Sequence, residues 1–325
     1  MPGRRRGERA ARPSDRAAAV ADVGPSPAPH RERAPPPVHT RFIGLDEYRA
    51  EREWRRLEGT PVRELFRELR RRFLERHAGG TGWAVDLGAG PGRFSPWVGG
   101  PGARRVLVDL SRSMLVEATR RWDSAAGPLP DRLLADAIRP PLGPGRFAVV
   151  AMLGNVVGFA GPRANAVLEA GIALAAPGAT VVVEVAPGPG ERSRYLGRLP
   201  PGAVRRLLRA PLNAIRPRVE REGFRSVPPS PDHAGFARLS GADVQGVFDR
   251  HGIELLDSLA IAPALGADAD RVSAARGDPL AWHRLLELEE AIGRSAARHG
   301  RAAALLLAGR TSPRPGPAEG AGNSS

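Results

Sequence analysis

Three features of the sequence predict an α/β fold built on a doubly wound, mostly parallel sheet. The first is the stretch Trp83 to Ser95, WAVDLGAGPGRFS, where a short apolar run meets glycines at alternate positions, Gly88, Gly90 and Gly92. The second is a series of short apolar runs separated by helical stretches and Gly/Pro stops, the pattern of strands alternating with helices. The third is an acid, Asp109, at the tip of the second of those runs. Strand, glycine turn and helix together open a nucleotide-type α/β fold, and glycine lets backbone bend sharply and lie close to a ligand. Arg93 and Phe94 are read as the start of the helix. The dinucleotide fingerprint wants its third glycine where Arg93 stands, and no Lys-Ser/Thr pair follows to make a Walker loop.

Composition narrows the class. The chain has 325 residues, 42% of them hydrophobic, enough for a substantial core. It has no cysteine, which excludes disulfides and thiolate metal sites, and its seven histidines are scattered, so no metal is assigned. No apolar run approaches the ~20 residues that span a bilayer, and the basic N-terminus lacks a signal peptide's apolar segment. A soluble cytoplasmic protein is expected. The net charge is +14, and all 49 basic residues are Arg. Residues 1–40 carry +4, residues 190–240 carry +7 and the remainder only +3. The basic excess therefore sits in a tail and one insert.

In chain order, residues 1–40 are Pro/Ala/Arg-rich and read as a disordered tail. Residues 41–80 form N-terminal helices. One covers Asp46 to Leu57 with Tyr48 and Trp54; the next is capped by Thr60, starts at Pro61 and stops at Gly79. Its stripe of Val62, Leu65, Phe66, Leu69 and Phe73 has helical spacing and faces the core. Trp83–Leu87 is the first strand and Arg104–Val108 the second, with Ser111 capping a helix that carries Met114 and Leu115. Leu133–Ala135 and Phe147–Leu153 are the third and fourth strands, Arg163 to Ala175 is a helix, and Ala179–Val185 is the fifth strand. An insert, residues 187–239, contains a short Arg-studded helix from Ala203 to Ala210. A helix from about Ser240 to His251, a strand Ile253–Ile261, a helix Pro279–Ala297 and a closing strand Arg301–Ala308 follow, then a disordered tail over 313–325.

Asp86, two residues before Gly88, completes the pattern D-x-G-x-G-x-G with Gly90 and Gly92. On these residues the chain resembles the class I S-adenosylmethionine-dependent methyltransferases. Asp109 to Leu115 (DLSRSML) is similar to the family's second motif. The resemblance implies a Rossmann-like methyltransferase fold over residues 81–312, seven strands with the last antiparallel, an N-terminal helical cover and a substrate-side insert after strand five. It implies S-adenosylmethionine as cofactor, held by Asp86, Gly88, Ala89, Gly90, Gly92, Asp109, Leu110, Met114, Asp136, Ala137 and Leu153. In this reading Asp109 takes the ribose hydroxyls, since an ionised carboxylate has two acceptor oxygens, and Asp136 meets the adenine amino group. Tyr48 either helps cover the cofactor or is a buried or surface tyrosine without that role.

Three residues are candidates for the chemistry. Asn155 stands where the family's fourth motif meets the transferred methyl, but Val156, Val157 and Gly158 follow it. That departs from the Pro-Pro-aromatic run of enzymes acting on exocyclic base amines. Asn155 is either an orienting group or a helix cap. Glu184, an acid within a β-branched strand, either faces the pocket or pairs with an Arg. His233 in the insert is either a general base, with an unperturbed pKa near neutrality, or a loop histidine without a chemical role.

The implied reaction is in-line methyl transfer from a sulfonium to a small-molecule acceptor. The alternatives are an RNA or protein methyltransferase using the Arg-rich insert and tail, and a non-catalytic binding protein on the same fold. A nicotinamide-dependent oxidoreductase is a more distant rival. The acceptor atom and the oligomeric state are not fixed by the sequence.

Overall fold

The computed structural model describes residues 50–226 and 236–313. The two tail readings, Tyr48 and His233 lie outside the described residues. In chain order the helices and strands are α1 (Ala50–Arg55), α2 (Pro61–His77), β1 (Trp83–Leu87), β2 (Arg104–Asp109), α3 (Arg112–Arg120), β3 (Asp131–Leu134) and β4 (Phe147–Met152). These are followed by α4 (Val156–Phe159), α5 (Ala164–Leu174), β5 (Ala175–Val185), β6 (Glu191–Ser193), α6 (Pro201–Leu207), α7 (Leu212–Glu222) and β7 (Phe224–Ser226). The chain closes with α8 (Gly241–Arg250), β8 (Ile253–Ala260), α9 (Ala269–Arg276), α10 (Pro279–Gly293), α11 (Ala296–His299) and β9 (Leu305–Thr311).

Seven strands form one sheet in the order β3-β2-β1-β4-β5-β9-β8. The pairs β1–β2, β1–β4, β2–β3 and β4–β5 are parallel, and β9 runs antiparallel between β5 and β8. The order reverses at β1 and β4, so the carboxyl ends of these two strands flank the crevice where open α/β sheets bind ligands. β6 and β7 make a separate two-stranded ribbon.

The period-2 pattern of each strand sorts its side chains between two cores. Ala84, Val149, Ala151, Val182 and Leu306 join the core under α2, with its fully buried Leu65, Leu69 and Phe73. Val85, Leu87, Val150, Met152, Val181 and Val183 join the opposite core with residues of α5 and α8. By the same alternation Asp86 and Glu184 fall on the α2 face, at the carboxyl ends of their strands. The insert after β5 also packs on this side. Leu196, Val204, Leu208, Ile215 and Val219 are buried in the α2-face core with residues of α9 and α10.

Several elements differ from the sequence reading. No α-helix follows the glycine turn; residues 88–103 carry only a 3₁₀ turn at Ser95–Trp97. Pro91 and Pro96 remove backbone donors, and Gly99, Gly100 and Gly102 offer no side chain to hold a helix. Arg105 compensates. Its buried guanidinium donates to the carbonyl oxygens of Pro96, Val98, Gly99, Gly100 and Ala103 at 2.7–3.3 Å. The fifth strand begins four residues early, at Ala175, with Gly178 at φ +77° bending it. The closing strand begins at Leu305 rather than Arg301. Helices α7 and α9 were not expected, the first because Pro217 interrupts its pattern. Caps were legible: Thr60 and Ser111 accept the backbone N–H groups of Arg63 and Met114, and Ser240 forms a capping box with Asp243.

Replacing Arg105 with Leu leaves several buried carbonyls without donors. Arg105→Leu is therefore expected to cost about 2–4 kcal/mol, read as a lowered urea midpoint with an unchanged m-value.

Candidate functional site

The site is built from the carboxyl end of β1 outward. The glycine turn is held on β2: the N–H groups of Gly88 and Ala89 both donate to the Val108 carbonyl, at 2.8 and 3.0 Å. Gly90 N–H then donates to Asp109 Oδ2 at 2.8 Å, while Ser111 N–H donates to Oδ1 at 2.8 Å. Gly88, Gly90 and Gly92 all have positive φ, between +55° and +74°. Two of them are required for different reasons. A Cβ on Gly88 would lie 2.2 Å from Val156 Cγ2, so only glycine lets the turn pass beneath α4. A Cβ on Gly90 would meet nothing within 4 Å, so its bare backbone faces open space.

Asp86 lies under this turn and is buried, 3% exposed. Ser95 Oγ donates to its Oδ2 at 2.6 Å, and Oδ1 has no partner among the described residues. Burial pushes its carboxyl up to about 7; the Ser95 hydrogen bond opposes that rise and the neighbouring Asp109 charge adds to it. A buried carboxylate with one unpaired oxygen is a seat for a cation or a donor. Asp136 joins the group because Ala135 N–H donates to the Asp109 carbonyl at 3.1 Å. Asp136 Oδ1 itself caps the Ile138 N–H at 3.0 Å. Leu110 and Ala89 are half-buried, and Met114, Ala137 and Leu153 are buried.

Beyond β4 the chain turns through Gly154 and Asn155, both with positive φ. Asn155 is buried, and neither end of its amide has a hydrogen-bond partner among the described residues. It precedes α4 but does not cap it with its side chain. A non-glycine residue held left-handed with an unsatisfied amide is strained and costs of order 1–3 kcal/mol. Glu184, on β5, accepts two hydrogen bonds from Arg70 of α2, at 2.6 and 3.1 Å, and one from Gly154 N–H at 3.2 Å. Burial pushes the Glu184 carboxyl up, but the Arg70 charge and hydrogen bonds outweigh it and hold it below the usual carboxylate range.

The strand order, with one antiparallel strand between β5 and β8, is the doubly wound, mostly parallel sheet that the sequence predicts. No family model matches the chain, and no curated protein matches it. Among solved structures it is similar to a methyltransferase of Thermotoga maritima, described as a possible histamine N-methyltransferase. The identity is 14%, over 85% of this chain and 98% of that one, with a TM-score of 0.46. The magnesium protoporphyrin IX methyltransferase of Synechocystis, bound to S-adenosylhomocysteine, is 15% identical over 85% of this chain and all of the other, at 0.49. Geranyl diphosphate C-methyltransferase of Streptomyces coelicolor is 14% identical over 74% and 77%, at 0.41.

The structure thus brings Asp86, the glycine turn, Asp109, Asp136 and Asn155 to adjacent strand ends, with Glu184 one strand further along. Among the described residues no three His, Asp or Glu side chains cluster as metal ligands, and no helix is long and apolar enough to cross a membrane. Sequence reasoning missed Ser95, Arg70 and Arg93. Arg70 sits among Phe66, Leu69 and Phe73, so an Arg at the edge of an apolar helical stripe was the available signal. Arg93, in the place of the fingerprint glycine, is buried; it donates to Glu58 Oε1 at 2.7 Å and stacks 4.4 Å above the Trp54 ring. It ties the N-terminal segment to the glycine turn.

A carboxyl whose pKa is raised by folding binds its proton more tightly in the folded chain, so stability falls as pH rises from the unfolded value to the folded one. Asp86 and the fully buried Glu289, which burial also lifts to about 7 against the backbone N–H bonds of Ala264 and Leu265, both act in this sense. The ligand-free protein is expected to lose a few kcal/mol between about pH 4 and pH 7. Denaturation at a series of pH values checks it, with Asp86→Asn flattening part of the slope.

Proposed function

We infer that this chain transfers a methyl group from S-adenosylmethionine to a small-molecule acceptor. The observation that carries the reading is the pairing at the β1 tip: a buried Asp86 oxygen without a partner among the described residues, and a Gly90 whose missing side chain opens onto free space. These residues fit the cofactor. When bound, S-adenosylmethionine supplies an electrophilic methyl group on a positively charged sulfur. Asp86 would receive its ammonium end. Asp109 would accept the ribose hydroxyls with the carboxylate that also takes the Gly90 and Ser111 N–H groups. Asp136 and Ala137 would border the adenine. Gly88, Ala89, Gly92, Leu110, Met114 and Leu153 would shape and wall the seat.

Because the sulfonium is a good leaving group, the protein's task is chiefly alignment. Pre-positioning of that kind is worth on the order of 7–11 kcal/mol. Asn155 is suited to orient the acceptor, since its amide offers a donor and an acceptor without a partner among the described residues. Glu184, held ionised by Arg70, is better suited to fix Arg70 and the Gly154 turn than to take a proton. His233 remains a proposed base of the insert.

Calorimetric titration with S-adenosylmethionine and its demethylated product tests the cofactor. Both are expected to bind, and Asp109→Ala to weaken binding about tenfold or more. Ionised Asp86 holds an ammonium better than neutral Asp86, so affinity is expected to rise with pH through about 7, and Asp86→Asn to lose that rise. Absence of binding in the unaltered protein would sink the reading.

Incubating metabolite extracts with methyl-labelled cofactor identifies the acceptor. With it in hand, Asn155→Gly, which keeps the left-handed backbone without strain, is expected to slow turnover about tenfold or more while leaving cofactor affinity intact and stability no lower.

A further inference from the structure

A cleft of about 340 Å³ opens beyond the carboxyl end of β5, between the chain leaving that strand and the turns that follow β8 and precede β9. Its size falls within the range of small-molecule sites, about 300–1,000 Å³. Its apolar lining includes Phe66 of α2, Phe236 and Ile261. Phe236 is fixed from behind, its ring 4.2 Å from that of Phe159, while the neighbouring Ala237 N–H donates to the Gly158 carbonyl at 3.0 Å. The cleft adjoins the candidate site: Phe66 supplies the carbonyl that Arg70 also holds, at 3.0 Å, and Arg70 grips Glu184.

Four guanidiniums line the same cleft, those of Arg56, Arg238, Arg298 and Arg301. Arg56 pairs with Glu53 at 2.7 Å. Arg298 and Arg301 share the single carboxylate of Glu191, at 2.8 and 2.9 Å. Arg238 is exposed and has no hydrogen bond or ion pair among the described residues. Among the described lining residues Glu191 is the one carboxylate, already shared by Arg298 and Arg301, and Arg238 adds a further guanidinium beside the apolar floor. Glu191 is buried while Arg301 is largely exposed, so the uncompensated charge lies toward the mouth.

We propose that this cleft holds the acceptor, and that the acceptor is an amphiphilic anion: an apolar body against Phe66, Phe236 and Ile261, with a carboxylate or phosphate monoester met by Arg238 and Arg301. The proposal rests on the methyl-transfer reading for the word acceptor, and on the cleft itself for the ligand's chemistry. Guanidinium offers paired donors matched to both anions, and among the described lining residues the one carboxylate, Glu191, is already held by two guanidiniums.

The test is titration of the full chain at low salt with four probes: 4-phenylbutyrate, phenyl phosphate, the neutral 4-phenylbutanol and the cationic 4-phenylbutylamine. At least one anion is expected to bind about tenfold more tightly than the alcohol and the amine; which anion does so separates carboxylate from phosphate. The double variant Arg238→Gln/Arg301→Gln is expected to abolish that preference. Arg146→Gln/Arg310→Gln, with the same net charge but altered at the opposite end of the sheet, is expected to keep it. Equal binding of all four probes, no binding of any, or a preference unchanged in the first variant or lost equally in the second overturns the proposal. S-adenosylmethionine is titrated into the same preparations. Cofactor binding without anion preference overturns the cleft assignment alone; anion preference without cofactor binding overturns the methyl-transfer reading and supports the cleft as an anion site.

Discussion

The bend that follows β1 is the constraint on which the rest of the site depends. Three residues with positive φ must succeed one another at alternate positions while the chain passes under Val156 and over the tip of β2. Only glycine does this without steric cost. The bend is then fastened rather than left loose: two N–H groups share the Val108 carbonyl, and a third reaches Asp109. Asp109 is thus part of the scaffold that holds the bend in shape.

The two acids on the α2 face show how one fold gives similar groups different properties. Asp86 and Glu184 are both buried at strand ends. Asp86 has only a serine hydroxyl, so burial dominates and its carboxyl rises to about 7. Glu184 has Arg70, and the charge holds it low. A buried ion pair contributes little net stability, because desolvation offsets the attraction. Its clearer consequence here is positional: through Glu184, α2 is joined to β5 and to the Gly154 turn, and the strained Asn155 follows that turn directly.

The insert after β5 does more than lie across the strand ends. Its buried residues extend the α2-face core, and its flanks reach the cleft at Glu191 and Arg238. The excess charge of this segment was visible in the sequence, but its meaning was not. Most of its arginines lie outside the cleft, and the positive character there depends on how many guanidiniums share each carboxylate.

The sequence by itself determined the seven strands of the main sheet, the Thr60 and Ser111 caps and the glycine bend, because apolar period, capping side chains and the need for positive φ are local properties. It placed Asp86 and Asp109 at strand tips for the same reason. It could not show that prolines and glycines would replace the first crossover helix with a loop. That loop survives because Arg105, on the next strand, supplies its donors. Nor could it choose between a pocket base and an Arg partner for Glu184, or between a cap and a free amide for Asn155. Those outcomes were decided by tertiary structure: Arg70 lies 114 residues from Glu184, and whether a buried polar group is satisfied depends on groups that only folding brings within reach.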